Sequence, residues 1–378
     1  MVLYKSNLNM AIAKPFLLPI LVILLQLNAC SEETETSLYT QNLPQNSITV
    51  VAVGDIMLGG TAEEVLLKEG YDYPFTNVKP WLNNASVVIG NLEGPLTSIC
   101  NSDMELDKEY VFRSPAEKVA PALKNAGFNL LNLANNHILD YGIRGMNDTS
   151  KALKDFGISS VGVGENTTQA RTGTIINTEN GKIGFLGYSL TFPESFWATD
   201  TSAGTAFGHR KQIISDIKRL KTQTESVIVS FHWGREKTTE LRPYQPKLAH
   251  AAIDAGASVV LGHHPHVLQA VEKYNKGLII YSLANFVFGS YSQDAKTSII
   301  ARITLNKGQF HSAEFIPINT LNTEVIFRPE ILHGDAATTV FEHLNQLSND
   351  RNTRLDQLNH RGYLHADQNK IQSLVRNN

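Results

Sequence analysis

Cysteine is nearly absent, with only Cys30 and Cys100 in 378 residues. That excludes a disulfide scaffold and a structural zinc knot, which is built from several thiolates. An excess of either charge is also missing. The formal net charge is -3, without the basic patch and high pI of a dedicated nucleic-acid binder. Fixed-period repeats, heptads and collagen-like glycine spacing do not occur. A hydrophobic content of 42% excludes a disordered chain. The apolar run at residues 16–27 is too short to span a bilayer comfortably, which takes about 20 residues.

That run carries an address. Lys5 and Lys14 precede it, and Leu27-Asn28-Ala29-Cys30 ends it. A positive flank, a short apolar stretch and a small residue before a break describe a secretory signal. The last four residues resemble the bacterial lipobox, which implies that Cys30 is lipidated and becomes the first mature residue. Residues 1–30 are therefore expected to be a lipoprotein-type signal peptide, with the rest held on the extracytoplasmic side of a bacterial cell envelope. The polar stretch at residues 31–46 reads as a flexible tether. Cys100 reads as a small semi-buried hydrophobe.

Residues 48–53 form a continuous β-branched run ending in Gly54-Asp55, the pattern of a buried strand. Further strands are expected at 86–89, 128–133, 182–186, 226–231 and 258–261. Helices are expected at 61–69, 114–126, 145–156, 211–221 and 244–255. Ser114 should cap the second helix, with Pro115 in its first turn and Gly127 as its stop. Shorter strands follow at 267–272, 278–281, 298–305 and 309–315. The tail from Asp335 should begin helical and end polar and loose. Alternating strands and helices give an α/β fold. One domain is expected over residues 47–330 and a C-terminal helical extension over 331–378.

Five of the expected strands end in polar residues that can bind metal: Asp55, Asn91 with Glu93, Asn136 with His137, His232, and His264 with His266. In open α/β sheets ligands bind beyond the carboxyl ends of strands, so these distant residues can meet. Each has a bland reading of its own: turn former, loop acid, or hydrogen-bonded histidine. Their shared placement is what points to a site. Oxygen and imidazole donors suit divalent Mn, Fe, Zn or Ni.

Gly54-Asp55, Asn91-Leu92-Glu93-Gly94-Pro95, Asn135-Asn136-His137 with Asp140-Tyr141-Gly142, His232-Trp233-Gly234-Arg235-Glu236 and His264-Pro265-His266-Val267 together resemble the CapA (PgsA) capsule-synthesis family of poly-γ-glutamate biosynthesis. That family is similar to calcineurin-like metallophosphoesterases. The resemblance implies a four-layer αββα sandwich of two mixed sheets flanked by helices. It also implies a centre of two divalent metals, Mn, Fe or Zn. Carried over by position, Asp55, Glu93, Asn136, His232, His264 and His266 would be the ligands. His137 would donate a proton to the leaving group. Asn91, Arg235, Glu236 and His263 are expected at the substrate. This sequence departs from the phosphoesterase pattern at Met57, where a histidine is usual, and at Glu93, where an aspartate is. His263 is an extra histidine that could compensate, and Ala284 stands where the family commonly has glycine. The implied substrate is an anionic polymer or a phosphoester or glutamyl compound, handled with a capsule-synthesis membrane complex and no nucleic acid. The alternative is a non-catalytic accessory subunit of such a complex.

Overall fold

Residues 43–99 and 108–367 are described by the computed structural model. The expectations for the signal peptide, for residues 31–42 of the tether, and for Cys30 and Cys100 lie outside them. From Leu43 on, the chain forms one unit. Among the described residues no helix is long and apolar enough to cross a membrane.

In chain order the main elements begin with β1 (Ile48–Met57), α1 (Glu63–Glu69), β2 (Val87–Leu92), α2 (Ala116–Ala126), β3 (Leu130–Asn132), α3 (Gly142–Asp155) and β4 (Ser159–Val161). Next come β5 (Thr174–Thr178), β6 (Gly181–Ser189), α4 (Arg210–Lys221), β7 (Ser226–His232), α5 (Tyr244–Asp254) and β8 (Val259–His263). The last are β9 (Val271–Tyr274), β10 (Gly277–Ile280), β11 (Asn285–Phe288), β12 (Thr297–Asn306), β13 (Gln309–Asn319), α6 (Gly334–Ser348), β14 (Asp356–Leu358) and β15 (Arg361–His365). The larger sheet runs β14-β15-β13-β12-β1-β2-β3-β4, with β11 beside the end of β1. The smaller runs β9-β10-β8-β7-β6-β5. Both are mixed: β1 to β4 are parallel and β12 is antiparallel to β1, while β6, β7, β8 and β10 are parallel with antiparallel β5 and β9 at the edges.

The twofold alternation of a strand sorts its side chains into separate layers. Val51 and Val53 pack with Leu66, Val119, Leu123, Met146 and Leu153 of α1, α2 and α3. Val50 and Ala52, one residue out of phase, pack with Ile183, Phe185, Ile228, Val259 and Leu261 of the smaller sheet. The far face of that sheet, with Leu186, Val227 and Val260, is covered by Ile213, Ile217 and Leu248 of α4 and α5. Helices, sheet, sheet, helices is the four-layer order that the family resemblance implies.

Three local expectations are corrected. Ser114 does not cap α2. Its backbone pairs with Pro95 and Thr97 instead, and Pro115 takes the cap position. The strand expected at 267–272 starts only at Val271. The tail is more than a helical extension. α6 is followed by the hairpin β14–β15, which pairs onto β13. Phe341, Leu344, Leu355 and Leu364 close the layer between the sheets. Asn359 and His360 both adopt positive φ at the hairpin turn, the conformation in which glycine is the usual sequence signal.

Candidate metal centre

The carboxyl ends of β1, β2, β3, β7 and β8 open onto one place. At Asp55 the pairing of β1 shifts register, and β11 takes over from β12 as its neighbour. Gly54 allows this. A Cβ there would lie 1.9 Å from the carbonyl oxygen of Ala284, so only glycine admits the crossing chain. Gly262, before His263, has the same constraint against the carbonyl of Tyr281, also at 1.9 Å.

Asp55 is fully buried. Its Oδ1 accepts a hydrogen bond from Asn91 Nδ2 at 2.8 Å, and its Oδ2 accepts one from the backbone N–H of His264 at 3.2 Å, across to the other sheet. His266 Nδ1 lies 3.3 Å from Oδ2 and His263 Nδ1 3.4 Å from Oδ1. Glu93 Oε1 stands 3.7 Å from His232 Nε2 and 3.8 Å from His266 Nε2. His232 Nε2 is also 2.7 Å from Asn136 Oδ1. Two of the donor groups are Glu93 with His232 and His264, and Asp55 with Glu93 and His266. In each, one donor atom per residue lies within 4.8 Å of the others. Glu93 belongs to both.

These residues fit a divalent metal centre. Glu93 Oε1, His264 Nδ1 and both ring nitrogens of His263 are buried without a hydrogen-bond partner. Leaving such a group unsatisfied costs about 1–3 kcal/mol each, which a cation on Glu93 and His264 would offset. The donors are carboxylate oxygen and imidazole nitrogen, the set that suits first-row divalent ions. Met57, at the position where a histidine would add a nitrogen donor, is buried and has only a thioether to offer.

Burial raises the Asp55 carboxyl, but the close imidazoles of His263 and His266 overcome it and hold Asp55 well below the usual carboxylate range. Burial pushes Glu93 well up, against the pull of His266 and with added repulsion from Asp55 and Glu236. Burial lowers His232 strongly and takes His264 down to about 3. Both rings are therefore neutral at neutral pH, the state in which an imidazole can bind a metal. His266 is the exception. Burial opposes its charge, yet Glu93 and Asp55 raise it to about 10.

His137 sits beside the donors in a separate network. Its Nδ1 is 2.7 Å from Asp140 Oδ2, and the Phe112 ring packs on the imidazole at 4.6 Å between centroids. Lys108 donates to the Asn136 carbonyl at 2.6 Å, pairs with Asp140, and lies 3.0 Å from His137 Nδ1. Burial lowers both the lysine, against the pull of Asp140, and the histidine. Lys108 stands in a stretch without hydropathy pattern, so nothing in the sequence singles it out. Asn285, whose Oδ1 is 2.8 Å from His266 Nδ1, was equally silent.

The structure brings Asp55, Glu93, Asn136, His137, His232, His264 and His266 together. It changes the reading of two residues expected at the substrate. Asn91 and His263 are fully buried. Both stand against Asp55: Asn91 donates to its Oδ1, and His263 Nδ1 lies 3.4 Å from the same oxygen. Arg235 and Glu236 are exposed on the loop after β7.

Residues 49–290 match the family described as "Bacterial capsule synthesis protein PGA_cap". The chain is 33% identical over 306 residues to the capsule biosynthesis protein CapA of Bacillus anthracis, covering 80% of this chain and 74% of that one. It is 33% identical over 316 residues to the PGA biosynthesis protein CapA of Bacillus subtilis strain 168, covering 83% and 81%. A solved calcineurin-like phosphoesterase, YfkN of Bacillus subtilis, aligns over 80% of this chain and 98% of that one, with a TM-score of 0.42 and 14% identity. The four layers described above rest on this chain's own sheets and clusters, and the last likeness adds no argument to them.

Proposed function

This chain belongs to the bacterial capsule synthesis protein family. We propose that within it the chain acts on an anionic surface polymer of the polyglutamate kind, or on its phosphoester or glutamyl precursor, as a metal-dependent hydrolase or transferase. The observation that carries this reading is the pair of donor groups joined at the buried Glu93. Asp55, Glu93, Asn136, His232, His264 and His266 would hold two divalent ions, which supply Lewis-acid polarisation and charge neutralisation when bound. Asp140 accepts from His137 Nδ1, which fixes the ring so that Nε2 can hold a proton and pass it to a leaving oxygen or nitrogen. Lys108 fixes Asp140 and the Asn136 carbonyl, which keeps the proton donor in register with the ligands. Arg235 is placed to fork onto a substrate carboxylate or phosphate.

Two measurements test the reading: bound Mn, Fe or Zn after reconstitution, and turnover of phosphoesters and γ-glutamyl polymers by the loaded protein. Less than one equivalent of metal would end the enzymatic reading. His137→Ala should abolish turnover with metal content nearly unchanged, and equal turnover would remove His137 from the mechanism. Acylation of Cys30, with anchoring in the envelope, belongs to the same proposal. Mass spectrometry of the mature N-terminus checks it, and an unmodified Cys30 in the native host would overturn it.

Met57 favours a second reading, an accessory subunit that binds polymer without turning it over. In that case the metal-loaded protein binds polymer, no substrate is cleaved, and His137→Ala changes nothing.

A further inference from the structure

We propose that Glu236 is a ligand of the metal centre and supplies, from an exposed loop, the donor that Met57 withholds. The inference rests on the metal-centre reading above. The loop after β7 is fixed at both ends of this residue. Before it, the buried Trp233 donates to the Tyr281 carbonyl at 2.9 Å, and the Gly234 N–H donates to Tyr244 Oη at 2.8 Å. After it, the Lys237 N–H donates to the Pro265 carbonyl at 2.8 Å. Glu236 is thereby tied to the turn that carries His264 and His266, both held at positive φ. Donor atoms of Glu236, His264 and His266 lie within 4.8 Å of one another.

This third group shares His264 with Glu93 and His232, and His266 with Asp55 and Glu93. Six residues therefore close a ring of three donor groups, each pair of groups sharing one member. His264, the member this group shares with Glu93 and His232, has a buried Nδ1 without a hydrogen-bond partner. The charge balance points the same way. Two divalent ions face only two carboxylates in Asp55 and Glu93, and Glu236 adds a third. His263, the other candidate to compensate for Met57, joins none of the groups among the described residues; its Nδ1 instead faces Asp55 Oδ1. Glu236 is the exposed member of the ring, so it is the ligand best able to give way when a substrate oxygen arrives.

The test is a Co(II) titration of the full-length protein in detergent, read by calorimetry and by the visible absorption of the bound ion. Glu236→Gln and Glu236→Ala are compared with wild type and with His264→Ala. Residues that only orient a ligand weaken metal binding by about 10–100-fold. Loss of a direct ligand should exceed 100-fold for one of the two ions and change its absorption spectrum. If both Glu236 variants bind within threefold of wild type with an unchanged spectrum, while His264→Ala loses cobalt, Glu236 is not a ligand and the metal centre stands. If wild type itself binds no cobalt, the metal centre and this inference fail together.

Discussion

At the scale of single residues, the site depends on amides as much as on its ligands. Asn91 Nδ2 lies 2.8 Å from Asp55 Oδ1, 3.4 Å from Glu93 Oε2 and 3.2 Å from His232 Nδ1, and Asn132 and Asn135 donate to its Oδ1. An amide nitrogen has two hydrogens, so three neighbours share two donations. Asn91→Ala should therefore lower metal affinity by about 10–100-fold without altering secondary structure, as calorimetry and circular dichroism would report. His266 is one contributor to the pH behaviour of the metal-free protein. Its pKa rises from 6.5 to about 10 on folding, so its contribution to stability is complete below pH 6.5 and is lost as pH climbs through 10. A cation binding there must displace that proton. Apparent metal affinity should rise with pH, and calorimetry at pH 7 should show proton release that varies with buffer ionisation enthalpy. Heats independent of the buffer would contradict it. Ala284 has φ 60, a conformation that costs a side chain about 1–2 kcal/mol, while glycine loses about 0.4–1 kcal/mol through chain entropy. The Ala284 methyl is also fully buried, worth about 0.8 kcal/mol, so Ala284→Gly should change unfolding stability by less than about 1 kcal/mol, as urea denaturation would show.

At the scale of elements, the strand ends are where the backbone has no room. Gly54 and Gly262 each face a carbonyl oxygen that a Cβ would approach to 1.9 Å. The obstacle is backbone in both cases, so no rotamer change relieves it. Gly262→Ala should cost about 3 kcal/mol or more and displace His263 and His264. A urea midpoint equal to wild type would show that β8 can shift as a unit. The β14–β15 hairpin was missed in the sequence because its turn carries Asn359-His360 and no glycine. Its attachment is tertiary: Arg361 donates to Glu314 at 2.8 Å and lies over the Trp81 ring at 4.5 Å. The strand β4 and the segment β11 were missed for a related reason. They are short, and their partners lie far along the chain.

For the whole molecule, the candidate donors come from both sheets: Asp55 and Glu93 from the larger, His232, His264 and His266 from the smaller side. A cation bound there links the two halves of the sandwich and favours the folded state. Metal at 100 times its dissociation constant should add about 2.7 kcal/mol of stability by mass action. A chelator should therefore lower the thermal midpoint, and the wild-type midpoint should climb with metal concentration. A midpoint indifferent to both would mean that no metal is held in the folded state.

Local pattern was sufficient for the α/β class, for five strand ends bearing Asp55, Glu93, Asn136, His232 and His264, and for the helices between them. Hydrophobic periodicity and glycine stops are written in neighbouring residues, where short-range sterics read them. Which candidate donors come within reach of one another was settled only in three dimensions. So were the burial of Asn91 and His263, the arrival of Lys108 at Asp140, and the entry of Glu236 among the histidines. Those relations join residues tens to hundreds of positions apart, and they exist only once two sheets have packed face to face and brought the ends of their strands to the same edge.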